Sequence, residues 1–408
     1  MNSNISVQEI FLHNQQIGSL ANLPGDRNLF SFSQEYIDNN ARPTLSLSFK
    51  DEAGNLLTDI KTTRTRLPPF FANLLPEGYM REYLASRANI SSEREFNLFG
   101  ALGNDLPGAI KTVGNLLAPN RGNKKPKSQA KENISDGALH FSLGGVQLKF
   151  SAIWDKQAKL TIPVDGIGGS WIVKLPSPSF TGVPQNEYAM MELARQIGIE
   201  VPETALIPLE QIKGLPKEME RLGSHAFVIK RFDRDQQGQA IHIEDFAQVF
   251  GVYPEKKYKA ANYRNIAQVI WAEIGLEGLL EFIRRFIFNA LIGNGDMHLK
   301  NWSLIYPDRR TPKLAPAYDF VSTLPYLPGD LLALNFNGSK AFNSLALDEF
   351  KRFAAKSKFP EKAITDTVLE TVSLFAKAFD SAEGLDIEEN VLEIISIHLQ
   401  TIPLWNYR

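Results

Sequence analysis

Residues 293–301 read G-N-G-D-M-H-L-K-N, and this stretch carries the clearest chemical pattern in the chain. Asp296 and Asn301 stand in the order D-x-x-x-x-N. A carboxylate at the first position can orient a hydroxyl group and accept its proton, and an amide oxygen at the second can bind Mg²⁺. The competing interpretation is that both residues cap turns, because a single Asp–Asn pair at this spacing arises by chance.

The sequence on either side of this stretch favours the functional interpretation. Before it, apolar residues recur at helical spacing from Leu279 to Leu291, a pattern typical of a core-facing helix. After it, A-P-A-Y-D-F (315–320) places Asp319 among apolar neighbours, behind a strand predicted at residues 302–305. A carboxylate there suits the metal-binding aspartate of the kinase D-F-G element, although Asp-Phe-Val stands here. Asn301 and Asp319 are therefore the predicted Mg²⁺ ligands.

His298 lies inside the same stretch, and two roles are open for it. The other histidines are scattered, and no pair of them has metal-ligand spacing. A structural histidine that braces the loop, as the His of H-R-D does in kinases, is favoured over a direct chemical role. We group His298 with Asp296 as the catalytic residues of the loop.

A lysine stands in the middle of an apolar strand further upstream. Lys174, in W-I-V-K-L-P, costs free energy unless it meets an anion, which in kinases is the α/β-phosphate of ATP together with a helix glutamate. Glu187 borders the apolar face of a helix predicted at residues 186–198, and Glu192 falls on its far side, so Glu187 is the predicted partner. The alternatives are that Lys174 extends from an edge strand to water and that Glu187 only suits the helix N-terminus.

Two further segments complete an order typical of kinases. S-L-G-G-V-Q-L-K (142–149) is a glycine-containing turn whose backbone N–H groups can bind phosphate, with a plain hairpin turn as the alternative. F-V-I-K-R-F-D (227–233) is an apolar strand that suits the hinge facing adenine, although any buried strand fits the same pattern. The order is then glycine turn, strand lysine, helix glutamate, hinge, D-x-x-x-x-N and D-F.

Composition limits the classes of protein to which the chain can belong. The 408 residues are 43% hydrophobic and include 26 phenylalanines, which favours a folded chain over disorder. A formal net charge of −2 supplies no basic field for direct DNA binding, and the absence of cysteine excludes disulfides, thiolate nucleophiles and cysteine-ligated zinc. With no signal peptide pattern and no membrane-length apolar run, we expect a soluble cytoplasmic protein without membrane contact.

The periodicities predict an α+β protein of two lobes, and the order of the motifs indicates that its fold is protein-kinase-like. Short alternating strands form a β-rich N-terminal subdomain in residues 1–118, followed by a polar, lysine-rich linker or loop in 119–136. A β-rich lobe with one helix is expected in 137–240, and an all-helical lobe in 241–408. The site is expected between the two lobes.

The amino-acid sequences of several segments resemble those of the HipA family of kinase toxins. The matching segments are F-F-A-N-L-L-P-E-G (70–78), L-G-N-D-L-P-G-A (102–109), S-L-G-G-V-Q-L-K (142–149), I-V-K-L-P (172–176), N-E-Y (186–188), K-R-F-D-R (230–234), E-D-F-A-Q-V-F-G (244–251), G-D-M-H-L-K-N (295–301) and Y-D-F (318–320). They occur in order over nearly the whole chain. In this resemblance, residues 1–118 correspond to the extra subdomain of the long family members, which shorter relatives have as a separate protein.

The resemblance implies a role for each matching residue. Asp296 would be the catalytic aspartate, Asn301 and Asp319 would hold Mg²⁺, and Lys174 would bind the phosphates of ATP. Ser142 would be the loop serine whose autophosphorylation silences family members. The family's phosphate loop falls on Ser142, Gly144, Gly145, Val146, Gln147 and Lys149. The adenine and ribose region falls on Lys230, Phe232 and Asp233.

The resemblance also implies partners. Family members phosphorylate serine or threonine on proteins, aminoacyl-tRNA synthetases being recognised substrates. A small HipB-like helix-turn-helix antitoxin restrains them and binds operator DNA, so DNA contact would pass mainly through that partner. Two departures bear on this expectation: Leu148 replaces an acidic loop residue, and the chain is somewhat short for a long-form member, which affects the antitoxin surface.

Two other functions compete with a protein kinase toxin. The first is a small-molecule kinase with the same two-lobed core. The N-terminal subdomain and the HipA-like sequence segments argue against it. A non-catalytic protein that keeps the fold is the second. It predicts the loss of at least one residue of the set Lys174, Asp296, Asn301 and Asp319, and all four are present.

Overall fold

The computed structural model describes residues 5–103, 105–114, 148–154, 160–163, 168–215, 219, 221–382 and 387–408. The linker or loop predicted at 119–136 lies outside the described residues. The strands are β1 Ser6–Leu12, β2 Gln15–Leu23, β3 Arg27–Phe32, β4 Thr63–Arg64, β5 Ile110–Gly114, β6 Lys149–Trp154, β7 Leu160–Thr161, β8 Trp171–Lys174, β9 Thr204–Pro208, β10 Ile212–Lys213, β11 His225–Lys230, β12 His242–Asp245, β13 Ser303–Tyr306 and β14 Lys313–Leu314. The helices are α1 Gln34–Asp38, α2 Pro69–Ala72, α3 Gly78–Arg87, α4 Glu95–Leu102, α5 Val183–Gln196, α6 Phe246–Val249, α7 Tyr263–Glu273, α8 Leu276–Leu291, α9 Leu347–Ser357, α10 Glu361–Phe379 and α11 Glu389–Leu399.

The N-terminal unit is built on an antiparallel five-stranded sheet with the order β4-β3-β2-β1-β5. His13 and Asn14 both have positive φ, 50° and 65°, which is the backbone of a tight hairpin turn between β1 and β2. Alternate side chains of β1, Ile10 and Leu12, are fully buried under phenylalanines of α2 and α4. The alternation in the sequence therefore predicts this sheet correctly.

The second unit carries a six-stranded sheet with the order β10-β7-β6-β8-β11-β9. β8 lies between β6 and β11, so Lys174 stands opposite Lys149 on one side and Phe227 on the other. Helix α5 packs on β9 and β11 with its apolar stripe buried, and Gly198, at φ 83°, follows its last turn. Gly198 is thus the helix stop that the sequence predicts, because the left-handed conformation there favours glycine.

The third part of the fold is a helical lobe around α8. The predicted stripe of α8 is buried throughout, and it packs against α7, α10 and α11. The lobe is not wholly helical, however, since β12, β13 and β14 form a three-stranded antiparallel sheet within it. β12 reads H-I-E-D, which is too short and too polar to indicate a strand without its partner. Among the described helices, none combines the length and apolarity needed to cross a bilayer.

Candidate active site

A cleft with a volume of about 460 Å³ is lined by all three parts of the fold. The second unit contributes Lys149, Lys174, Glu187 and Phe232, and the helical lobe contributes Asp296, His298, Asn301 and Asp319. The N-terminal unit adds a third wall, which includes Glu77 and Leu106. Most of the residues predicted from the sequence therefore meet in one place.

Lys174 lies at the centre of this cleft between two carboxylates. Its Nζ is 2.5 Å from Glu187 Oε1 on α5, and it also contacts Asp319 Oδ1. Burial opposes a charge on Lys174, but Asp319 and Glu187 together raise its pKa above the ordinary value. Burial likewise works against ionised Asp319, and Lys174 nevertheless lowers the pKa of that carboxyl to about 2. Lys174 is therefore a buried cation held by two ion pairs. The alternative, that it reaches water from an edge strand, does not describe this geometry.

The predicted catalytic loop, residues 293–301, is held in place by hydrogen bonds of its own asparagines. Asn294 Nδ2 donates to Asn289 Oδ1 on α8 over 2.7 Å, and Asn294 Oδ1 accepts from the backbone N–H of Asp296 over 2.9 Å. Asn301 Nδ2 donates to the carbonyl oxygen of Asp296 over 2.9 Å. Asn301 thereby closes the turn of the D-x-x-x-x-N element and keeps its amide oxygen for another ligand.

Asp296 is half-buried, and its nearest partner is Tyr258. The Tyr258 hydroxyl donates to Asp296 Oδ1, which fixes one carboxylate oxygen and leaves the other for a substrate. Burial raises the pKa of Asp296 to about 7, although the Tyr258 hydrogen bond and the charge of Lys257 act in the opposite direction. A carboxyl with a pKa near neutrality is suited to accept a proton from a hydroxyl group.

His298 is a neutral ring in this loop. Burial lowers its pKa to about 3, and the nearby charge of Lys257 adds to the effect. Its ring meets the Tyr258 ring edge-on, with 4.8 Å between the centroids. This contact fits the bracing role favoured from the sequence, and a direct chemical role for His298 stays a prediction without a contact that supports it.

Asn301 and Asp319 offer the oxygen atoms that Mg²⁺ prefers. Asp319 has φ 57°, a left-handed conformation that a residue other than glycine adopts at a free-energy cost and that recurs at functional sites. Lys149 and Lys174 stand opposite each other on adjacent strands, which places two cationic side chains beside Asp319. This set of donors and cations fits a nucleoside triphosphate with its metal.

The predicted nucleotide-binding residues are distributed unequally around the cleft. Phe232 lines it and packs against Tyr318, with ring centroids 5.5 Å apart, while Lys230 is half exposed and pairs with Glu203. Asp233 accepts hydrogen bonds from Arg231, Arg234 and the backbone N–H of Gly108, which occupy both carboxylate oxygens. A ribose contact of Asp233 stays a prediction. Ser142, Gly144, Gly145, Val146 and Gln147 lie outside the described residues.

Several residues in or beside the cleft are absent from the sequence-based prediction. Tyr258 and Lys257 lie on the segment between α6 and α7, Lys300 lies in the catalytic loop, and Glu77 comes from the N-terminal unit. Glu77 lies inside F-F-A-N-L-L-P-E-G (70–78), so that segment was the one available signal for it. Nothing in the spacing of E-K-K-Y-K indicates that Tyr258 reaches Asp296, because the two residues meet only in the folded chain.

Comparisons with known proteins agree with this geometry. Residues 8–113 match the HipA N-terminal domain family, and residues 141–379 match the HipA-like C-terminal domain family. A Sinorhizobium fredii protein described as "Putative kinase Y4dM" is 48% identical over 407 residues and covers 98% of each chain. The chain belongs to the HipA family.

Two further comparisons concern HipA of Shewanella oneidensis. The serine/threonine-protein kinase toxin HipA of Shewanella oneidensis is 26% identical over 302 residues, 65% of each chain. A solved structure of HipA, HipB and operator DNA from Shewanella oneidensis MR-1 has a TM-score of 0.74 at 21% identity, covering 98% of this chain and 96% of that one. This similarity confirms the two-lobed, kinase-like α+β fold, and the named relatives support kinase activity.

Proposed function

We propose that this chain is an ATP- and Mg²⁺-dependent protein serine/threonine kinase and the toxin of a toxin–antitoxin pair. The observation that carries the proposal is the Lys174–Glu187 pair in contact with Asp319, with Asp296 and Asn301 in the same cleft. This is the arrangement that phosphoryl transfer requires: a held cation for the phosphates, oxygen ligands for the metal and a carboxylate for the attacking hydroxyl.

Each residue then has a distinct task in the reaction. Asp296 orients the substrate hydroxyl with the carboxylate oxygen that Tyr258 does not occupy. It takes the proton as that hydroxyl oxygen bonds to the γ-phosphorus, while the bond from the γ-phosphorus to the β–γ bridging oxygen breaks and ADP leaves. Lys174 neutralises phosphate charge, and Glu187 holds Lys174 in place. Asn301 and Asp319 would hold Mg²⁺, which supplies charge neutralisation on the phosphates when bound.

The proposed partners follow from the family. HipA of Shewanella oneidensis was solved with HipB and operator DNA, and it is named a serine/threonine-protein kinase toxin. We propose a HipB-like helix-turn-helix antitoxin for this chain, DNA contact mainly through that antitoxin, and a translation component such as an aminoacyl-tRNA synthetase as substrate. Autophosphorylation of Ser142 is proposed as the silencing event, to be checked by mass spectrometry after incubation with Mg-ATP.

The catalytic assignment is tested by removing the carboxylate of Asp296. Asp296→Asn and Asp296→Ala should lower phosphoryl transfer by about a thousandfold or more, because positioning and charge stabilisation carry most of this reaction. The measurement is transfer of labelled phosphate from ATP to candidate synthetases and to small-molecule acceptors. Asp348→Ala, which removes an exposed carboxylate of α9, is the control.

Full activity of a folded Asp296→Ala protein would disprove the catalytic role of Asp296. Transfer to small molecules alone would favour the competing small-molecule kinase.

The toxin assignment is tested in cells. Expression of the chain without its antitoxin should arrest growth, and Asp319→Ala should relieve the arrest because it removes a proposed metal ligand and the contact of Lys174. Asp348→Ala should remain toxic. Equal toxicity of wild type and Asp319→Ala at equal protein levels would mean that the arrest does not depend on the kinase site.

A further inference from the structure

We propose that Glu77 of the N-terminal unit is a positioning residue for phosphoryl transfer, because it holds Lys257 and Lys300 beside Asp296. This inference rests on the proposed kinase activity and extends it. It makes the N-terminal unit a part of the catalytic apparatus.

The geometry of Glu77 is that of a bridge. Its Oε1 is 2.7 Å from Lys300 Nζ, and its Oε2 is 3.0 Å from Lys257 Nζ. Lys300 Nζ also donates to the carbonyl oxygen of Asn73 over 3.2 Å. One carboxylate of the N-terminal unit thus ties together two segments of the helical lobe.

Both of these segments carry groups of the proposed active site. Lys300 directly precedes Asn301 in the catalytic loop, and Lys257 directly precedes Tyr258, whose hydroxyl bonds to Asp296. The backbone N–H of Leu299 also donates to the carbonyl oxygen of Lys257, over 3.4 Å. A shift of either lysine therefore moves the backbone that positions Asp296 or Asn301.

The three charged side chains are withdrawn from water. Lys257 is 8% exposed, Lys300 14% and Glu77 27%. Burial opposes an ionised Glu77, but the two lysines lower its pKa to about 2, so the carboxylate is charged at neutral pH. Ion pairs in such surroundings are screened less than surface pairs, and removing one partner leaves the others poorly compensated.

Glu77 is also held firmly from its own side. It is the residue before the first turn of α3, and Gly78 has φ 54°, which a β-carbon would disfavour. Phe70 and Phe71 of the same segment are anchored in the N-terminal core, and Asn73 Nδ2 donates to the carbonyl oxygen of Val252 over 2.7 Å. The segment F-F-A-N-L-L-P-E-G (70–78) is therefore a rigid support for the carboxylate.

The charge balance explains why this position affects the rate. Glu77, Lys257 and Lys300 together carry one net positive charge at the mouth of the site, where negative charge develops during phosphoryl transfer. Without the carboxylate, the two ammonium groups repel each other and lose their fixed positions. A misplacement of about 1 Å near reacting groups lowers a rate by about a hundredfold.

The test compares Glu77→Gln and Glu77→Asp with a matched control. Glu255→Gln breaks another ion pair between the same units, Arg66–Glu255 at 2.5 Å, which does not contact the catalytic loop. For each protein, kcat and KM for ATP, the Mg-ATP affinity by calorimetry and the melting temperature are measured. We expect Glu77→Gln to lower kcat by about 10- to 100-fold with Mg-ATP affinity within about threefold, Glu77→Asp to recover part of the loss, and Glu255→Gln to stay within about twofold.

A variant on the lysine side protects the test against misfolding of Glu77→Gln. Lys300→Met should lower kcat in the same way, and the double variant should lose no more than the stronger single variant, because the two residues act as one unit. Unchanged kcat in folded Glu77→Gln or in Lys300→Met overturns the proposal, and so does an equal loss in Glu255→Gln. Absence of turnover in the wild type overturns the proposed function and this inference with it, whereas an active wild type with an equally active Glu77→Gln overturns this inference alone.

Discussion

At the scale of single residues, the candidate site depends on hydrogen bonds that fix the side chains of Asp296 and Asn301. The Tyr258 hydroxyl donates to one carboxylate oxygen of Asp296, and the side-chain amide of Asn301 donates to the backbone carbonyl oxygen of Asp296. The ammonium group of Lys174 is likewise fixed by neighbours, because it forms ion pairs with both Glu187 and Asp319. In each case a neighbour fixes the position of the side chain.

Tyr258→Phe tests this arrangement, since it removes one hydroxyl and keeps the ring against His298. A hydrogen bond to a charged group contributes about 1.5–3 kcal/mol, so kcat should fall by about 10- to 100-fold with Mg-ATP affinity unchanged. Steady-state kinetics and calorimetry provide the measurement, and Tyr83→Phe, on α3 outside the catalytic loop, is the control. An unaltered kcat in Tyr258→Phe would show that Asp296 needs no hydroxyl to hold it.

The residues that sequence reasoning found and missed differ in how they are joined to the site. Asp296, Asn301 and Asp319 lie in two short segments with fixed spacing, and Lys174 is conspicuous because a lysine interrupts an apolar strand. Tyr258 reaches Asp296, and Glu77 reaches Lys300, only through tertiary contacts between segments far apart in the chain. Local patterns carry no information on such contacts.

At the scale of elements, the catalytic loop is a continuation of α8 that needs glycine at one crowded point. A β-carbon on Gly295 would lie 2.0 Å from Asp330 Oδ2 and 2.6 Å from the carbonyl oxygen of Leu331. The Asp330 carboxylate is itself fixed by Thr323 Oγ1 at 2.6 Å, which also accepts from the backbone N–H of Gly295 at 2.9 Å. Neither neighbour can move without breaking this network.

Gly295→Ala should therefore displace the loop and lower kcat by about a hundredfold, with a smaller effect on the melting temperature. The comparison is Gly238→Ala in an exposed turn, where φ is 78° and no atom lies within 4 Å of the added carbon. Turnover and thermal melting of both variants decide the matter. Gly295→Ala with normal turnover would show that the loop accommodates a side chain.

Long elements were predictable because their patterns repeat, and short ones were not. The stripe of α8 continues over several turns, so its periodicity indicates a buried helix without further information. β12 has four residues and β14 has two, and each is a strand only because β13 supplies its hydrogen bonds. The strand predicted at residues 302–305 is β13, but its pairing with β12 was missed because these two strands are about sixty residues apart in the sequence.

At the scale of the whole molecule, a buried carboxyl joins the N-terminal unit to this small sheet. Glu244 on β12 accepts hydrogen bonds from Ser46 Oγ at 2.5 Å, from the backbone N–H of Leu47 at 3.0 Å and from the Tyr306 hydroxyl. Burial raises its pKa to about 7, even though these three hydrogen bonds favour the ionised form. The junction between the N-terminal unit and this sheet thus contains a carboxyl whose pKa burial raises toward neutrality.

Glu244 should make the protein less stable as the pH rises from about 4.5 to 7. Below this window the carboxyl is protonated in both the folded and the unfolded chain, and it contributes no difference. Within the window the unfolded chain releases the proton first, because its pKa is the ordinary 4.5, while the folded chain still holds it. Stability then falls with pH, by about 3 kcal/mol in total, and the loss is complete once the folded form also ionises.

Glu244→Gln cannot ionise, so its melting temperature relative to wild type should rise steadily across this window, whereas Glu52→Gln, at an exposed position of the N-terminal unit, should follow the wild type. Parallel melting curves of Glu244→Gln and wild type from pH 4.5 to 7 would show that the Glu244 carboxyl is already ionised in the folded chain and that the junction does not respond to pH.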